Sequence, residues 1–107
     1  MNQAFRDFCS EHGLLHQLSV PYTPQQNGVA ERKNRTLREM ANCMIQSRSL
    51  DSCFWAEAIN CANFIQNRMP HKALRHSTPE EAWSHVKPDV SSFRVFGSIA
   101  YAFVPDA

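Results

Sequence analysis

Glu31, Asn34, Arg35 and Arg38 stand at spacings i, i+3, i+4 and i+7, so on a helix they share one face. Between Glu31 and Arg38 the chain places four basic residues, Arg32, Lys33, Arg35 and Arg38, against one acid. A basic helix face suits phosphate contacts, and Asn34 can hydrogen-bond a base edge or a sugar. A solvated helix surface has the same composition, and charge alone does not separate the two readings. A lone carboxylate such as Glu31 in a first helical turn equally suits the positive end of the helix dipole.

The other metal-like or nucleophilic residues are less suggestive. Cys9, His12 and His16 have ligand-like spacing, but Gly13 breaks the chain between the histidines and no second cluster completes a four-coordinate zinc site. The four cysteines, at 9, 43, 53 and 61, form no CxxC pair. With no basic-then-apolar signal in MNQAFRDFCSEHG, they are expected to be free, reduced and buried.

The elements that must position these residues can be read from periodicity. Phe5, Phe8 and Cys9 predict a short amphipathic helix over 3–12, stopped by Gly13. Leu14 to Val20 reads as a strand ended by Pro21. The run PYTPQQNG, with two prolines, three amides and a glycine, reads as a loop. A long helix follows from about Val29 to Ser47, capped by Asn27, with Ala30, Leu37, Met40, Ala41, Met44 and Ile45 as its apolar stripe.

Asp51 or Ser52 then starts a helix expected to reach Met69 and to be well buried, since Phe54, Trp55, Ala58, Ile59, Cys61, Ala62 and Ile65 give it a wide apolar face. Pro70 closes it. Arg68 at its end reads equally well as a nucleic-acid contact or as a cap on the last carbonyls. Thr78-Pro79-Glu80-Glu81 joins a capping Thr, a Pro at the first helical position and an acid three residues on, predicting a short helix over 79–85. Phe93 to Val104 reads as a strand with Val95, Ile99, Tyr101 and Phe103 on one side. Two strands so far apart, with three helices between them, do not make an independent sheet. The pattern is that of a chain cut across two domains.

Residues 21–45, PYTPQQNGVAERKNRTLREMANCMI, resemble the end of the catalytic core of retroviral-type integrases, and in particular those of copia-type retrotransposons. The resemblance continues through FWAEAINCANFIQNRMP, TPEEAW and FRVFGSIAYAFVP, and so covers essentially the whole chain. It implies an α/β fold: the mostly helical C-terminal part of a ribonuclease H-like integrase core over residues 1–70, a connecting segment with a short helix over 71–92, and the truncated start of an SH3-like barrel over 93–107.

By the same resemblance, Glu31 matches the third, helix-borne carboxylate of a catalytic triad that holds two Mg2+ or Mn2+ ions for phosphodiester strand transfer. Asn34, Arg35 and Arg38 match positions that face DNA. Tyr22, Gln25, Gln26 and Asn27 match the loop beside the viral or target DNA end, and Gly28 lets that loop enter the helix. The implied partners are DNA, both element ends and target, and further copies of the chain; the implied location is the nucleus. The chain departs from the family in one decisive way. Asp7 and Glu11 do not match the two upstream aspartates, and Glu31 has too few residues ahead of it to include them. One carboxylate does not hold a two-metal clamp, so the 107-residue chain is expected to be catalytically incomplete and not to bind these ions stably.

Two readings of other classes remain: a non-catalytic, co-opted nucleic-acid-binding protein, and a decayed transposon reading frame. The helices at 29–47 and 51–69 superficially resemble a helix-turn-helix, but the second is too apolar to read a DNA groove. Composition agrees with an ordered chain, at 43% apolar and 20% charged residues. No apolar run approaches the ~20 residues that span a bilayer, which argues against a membrane partner. The formal net charge is only +1, yet it averages a basic eight-residue stretch against an acidic remainder and does not argue against DNA.

Overall fold

A computed structural model describes residues 2–18 and 28–106 of the chain. It divides into an N-terminal unit, Met1–Arg32, and a second unit, Lys33–Ala107. About half of the chain is helical, and among the described residues no β-strand forms.

In the N-terminal unit, α1 spans Gln3–Glu11. Its start is set by Asn2, whose side-chain oxygen accepts the Phe5 N–H at 2.8 Å, satisfying one of the first-turn donors. At the other end the Leu14 N–H returns to the Cys9 carbonyl at 2.7 Å, and Gly13 takes φ +68°, the left-handed conformation that this stop requires. Cys9 is buried. Phe5 meets His16 edge-on with ring centroids 5.2 Å apart, and Phe8 lies 4.3 Å from the His12 ring. Residues 14–18 do not form the expected strand, because they have no ladder partner among the described residues. Positions 19–20 of that expectation lie outside the described residues, as does the Asn27 cap.

Helix α2 spans Gly28–Ser47, as its periodicity predicts. Ala41 is fully buried and Leu37, Met40, Met44 and Ile45 are half-buried, whereas Ala30 is exposed. The Leu50 N–H closes α2 onto the Ile45 carbonyl at 3.0 Å, with Ser49 at φ 50°. Asp51 then accepts the Cys53 N–H at 2.8 Å and caps a 3-10 turn, Ser52–Phe54, that leads into α3, Trp55–Gln66. That hydrogen bond holds the Asp51 carboxyl below the ordinary Asp value.

In the second unit, α2 and α3 run antiparallel and are joined at both ends. Lys33 donates to Gln66 Oε1, and Trp55 Nε1 donates to Asn42 Oδ1 at 3.3 Å. The fully buried residues of the two helices are small: Ala41 on α2, and Ala58 and Ala62 on α3. The expectation of a deeply buried α3 is therefore corrected. Phe54, Trp55 and Phe64 remain 46%, 42% and 48% exposed, and the fully buried positions of α3 are the small residues Ala58 and Ala62. The helix is also shorter than expected. It ends at Gln66, and the N–H groups of Arg68 and Met69 turn back to Ile65 and Gln66 before Pro70 is reached.

Beyond α3, the Glu80 N–H donates to the Asn67 carbonyl at 2.8 Å, and Arg68 pairs with Glu80 at 3.7 Å. Helix α4, Pro79–Ser84, has the predicted start: the Thr78 hydroxyl accepts the Glu81 N–H at 3.2 Å. The strand expected over 93–104 is replaced by a turn and an extended tail. The Ser98 N–H bonds the Val95 carbonyl at 3.2 Å, and Gly97 sits at φ +84°, in the third position of that turn. Phe93 packs on Phe64 at 5.7 Å, and Arg48 donates to Ser98 Oγ at 3.4 Å. Val95, Ile99, Tyr101 and Phe103 are 62–94% exposed.

The cysteines are free, and only Cys9 is buried; Cys43 and Cys53 are exposed and Cys61 is intermediate. The expectation that all four are interior therefore fails for Cys43 and Cys53, which stand at exposed positions. Burial raises the Cys61 thiol above the ordinary value. Among the described residues no helix is long and apolar enough to cross a membrane.

Candidate nucleic-acid interface

The basic stretch of α2 separates into two roles. Lys33 is half-buried and turned toward α3, where it donates to Gln66, so it belongs to the helix pairing and not to the open face. Arg32, Asn34, Arg35 and Arg38 are exposed. In the second unit Arg35, Arg38, Glu39 and Asn42 line one shallow groove of about 280 Å3. Arg38 and Glu39 stand three and four residues after Arg35, and Asn42 stands four and three after them, so helix geometry alone brings the four to one side. Asn34 is exposed but is not part of the groove wall.

The groove is rich in donors. Arg35 and Arg38 are cations with several N–H groups each, and guanidinium planes suit phosphate oxygens. Glu39 is the one carboxylate among its walls, and it is engaged: Arg35 Nε lies 3.0 Å from Glu39 Oε1. That pair is exposed, with side chains 77% and 65% accessible, so water and salt screen it and rearranging it costs little. Asn42 gives its oxygen to Trp55, which leaves its amide N–H groups as the donors it can offer. The groove can thus hold an anion by two charged forks and one neutral amide.

Glu31 is exposed in the first turn of α2. A two-metal site needs several carboxylates around it, and the described residues hold no group of three or more His, Cys, Asp and Glu side chains placed to bind a metal. The donor set of the described residues does not fit a pair of divalent ions. Tyr22, Gln25, Gln26 and Asn27 lie outside the described residues.

Arg68 resolves to the structural side of its two readings. Its guanidinium carbon sits 3.6 Å from the centroid of the Phe64 ring, Nη1 donates to the Phe64 carbonyl at 3.1 Å, and Glu80 lies alongside at 3.7 Å. It closes α3 and joins it to α4.

Sequence reasoning missed Glu39, Asn42 and Trp55 as parts of the groove and its support. The first two were within reach, because Arg38 to Asn42 continues the same i+4 row. Trp55 was not, because its partner lies on another helix.

The chain is 41% identical over 104 residues to the retrovirus-related Pol polyprotein from transposon TNT 1-94 of Nicotiana tabacum, covering 97% of this chain and 8% of the polyprotein. It is 31% identical over 101 residues to the corresponding polyprotein from transposon RE1 of Arabidopsis thaliana, covering 94% of this chain and 7% of the polyprotein. An uncharacterized mitochondrial protein of Arabidopsis thaliana is 37% identical over 68 residues, which is 64% of this chain and 57% of that protein. The chain thus spans less than a tenth of the length of the Pol polyproteins it matches. No family model matches the chain, and no solved structure matches it.

Proposed function

Since this chain is related over nearly its whole length to a short stretch of the retrovirus-related Pol polyproteins of copia-type transposons, we propose that it is part of the integrase region of such a polyprotein and holds DNA on the exposed basic face of α2. Residues 1–70 are read as the C-terminal part of a ribonuclease H-like core, 71–92 as a connection and 93–107 as the start of an SH3-like domain. The observation that carries the proposal is the groove of Arg35, Arg38, Glu39 and Asn42, in which three donor side chains face outward beside a weakly held acid.

Phosphate contacts of this kind position a duplex without reading its sequence. Asn34, Arg35 and Arg38 supply them here, and the loop residues Tyr22, Gln25, Gln26 and Asn27 are assigned to the same DNA. Glu31 is the one carboxylate carried over from the family triad. Because the residues present do not fit a two-metal clamp, no chemical step is assigned to the 107-residue chain. Its part in strand transfer is to seat DNA.

The test is fluorescence anisotropy of a labelled duplex titrated with the 107-residue chain at several salt concentrations. Binding at low salt that weakens steeply as salt rises supports the proposal. No binding at low salt overturns it.

A further inference from the structure

Resting on that reading of α2, we propose that Asn42 is a further DNA-contacting residue: a neutral donor to a backbone phosphate oxygen, positioned by Trp55 of the facing helix. Asn42 lines the groove one turn beyond Arg38. An exposed Asn on a helix can present either its accepting oxygen or its donating nitrogen to a ligand. Here the indole N–H of Trp55 breaks that symmetry, because a donor-only group fixes the Asn42 oxygen at 3.3 Å and turns the amide nitrogen away from itself. The groove then meets its ligand with donors from Arg35, Arg38 and Asn42, and its one carboxylate, Glu39, is paired through Oε1 with Arg35.

This pattern selects the ligand chemistry. A phosphodiester has acceptor oxygens and no donors, so each outward donor of the groove finds a partner on it. A base edge that presents donors as well as acceptors would leave some of them unmatched. Trp55 is a positioning residue in this scheme. It is 42% exposed, so the hydrogen bond, more than burial, gives it its role.

The experiment measures duplex binding against salt for the wild-type chain, Asn42→Ala, Trp55→Phe and the double variant, with Trp83→Phe as a control at an exposed site on α4. Loss of one neutral donor weakens binding about three- to tenfold. Because Asn42 is uncharged, the dependence of log K on log salt keeps the wild-type slope, unlike the loss of an arginine. Trp55→Phe keeps an aromatic ring and removes the N–H, so it weakens binding by a similar factor, and the double variant is no weaker than Asn42→Ala. The Asn42→Ala loss is equal across duplexes of unrelated sequence, as a phosphate contact requires. Thermal melting of each variant separates binding loss from unfolding.

Wild-type binding with Asn42→Ala indistinguishable from it overturns the assignment and leaves the DNA reading intact. Additive losses in the double variant overturn the role of Trp55, and a loss confined to one DNA sequence overturns the phosphate. Absence of wild-type binding overturns the underlying reading, and this inference with it.

Discussion

Arg35 Nε lies 3.0 Å from Glu39 Oε1, one helical turn further along α2, so a cation of the groove is held in place by an acid of its own helix. The pair competes with any anion that needs Arg35. Being exposed on both sides, it adds little to stability. Glu39→Gln therefore tightens duplex binding about three- to tenfold by removing a like charge from the ligand's path. It shifts folding stability by no more than about 0.5 kcal/mol. Paired anisotropy and melting measurements check both halves. Weaker binding in Glu39→Gln contradicts the assignment of the groove.

Gly97 is bound to its conformation by two independent constraints. Its φ of +84° disfavours any side chain, and a Cβ there would come within 2.8 Å of Leu50 Cδ1 and 3.1 Å of Arg48 Cγ. Gly97→Ala is expected to destabilise the second unit by about 1–2 kcal/mol, since left-handed backbone costs an L-residue that much. A drop in Tm with duplex binding retained below the transition is the expected result. An unchanged Tm contradicts the turn at Val95–Ser98.

Thr78 caps α4 by accepting the Glu81 N–H at 3.2 Å, with Pro79 at the first helical position. Thr78→Ala loses about 1 kcal/mol, and Thr78→Ser recovers most of it. Chemical denaturation of the three chains gives the ordering directly. Because α4 lies away from the α2 groove, DNA affinity is the same for all three.

Asp51 caps the 3-10 turn between α2 and α3, and the Cys53 N–H keeps its carboxyl more acidic than an ordinary Asp. A carboxyl whose folded pKa is depressed contributes stability that is present above the unfolded value and lost as pH falls through the folded one. The stability of the wild-type chain thus declines as pH drops below the ordinary Asp value of 3.8. In Asp51→Asn, which keeps a capping oxygen and does not titrate, that part of the decline is absent. Melting curves from pH 6 to pH 2 compare the two. Identical pH profiles contradict this role.

The helices were legible because each carries its own local signals. Thr78-Pro79-Glu80-Glu81 announces α4 without help from the rest of the chain, and the stripe of Leu37, Met40, Ala41, Met44 and Ile45 announces α2. What was not legible depends on partners distant in sequence. The alternation of Val95, Ile99, Tyr101 and Phe103 reads as a strand, yet a strand exists only when another pairs with it, and a turn at Gly97 interrupts the segment. Phe54 and Trp55 look like core by hydropathy, but full burial falls to the small residues Ala58 and Ala62 and the rings stay half exposed. Lys33 looks like part of the basic face until Gln66 claims it. Asn42 acquires its meaning from Trp55, thirteen residues away on another helix, which no periodicity shows.

Exposed arginines of α2 that hold DNA through its phosphates set the salt dependence of binding. The decisive measurement is the slope of log K against log salt for the wild-type chain and for Arg35→Ala/Arg38→Ala, on one duplex at constant temperature. Each lost phosphate contact lowers the magnitude of that slope by about 0.9, so the double variant is expected to bind more weakly and with a slope lower by roughly 2. A double variant with the wild-type affinity and slope contradicts the account.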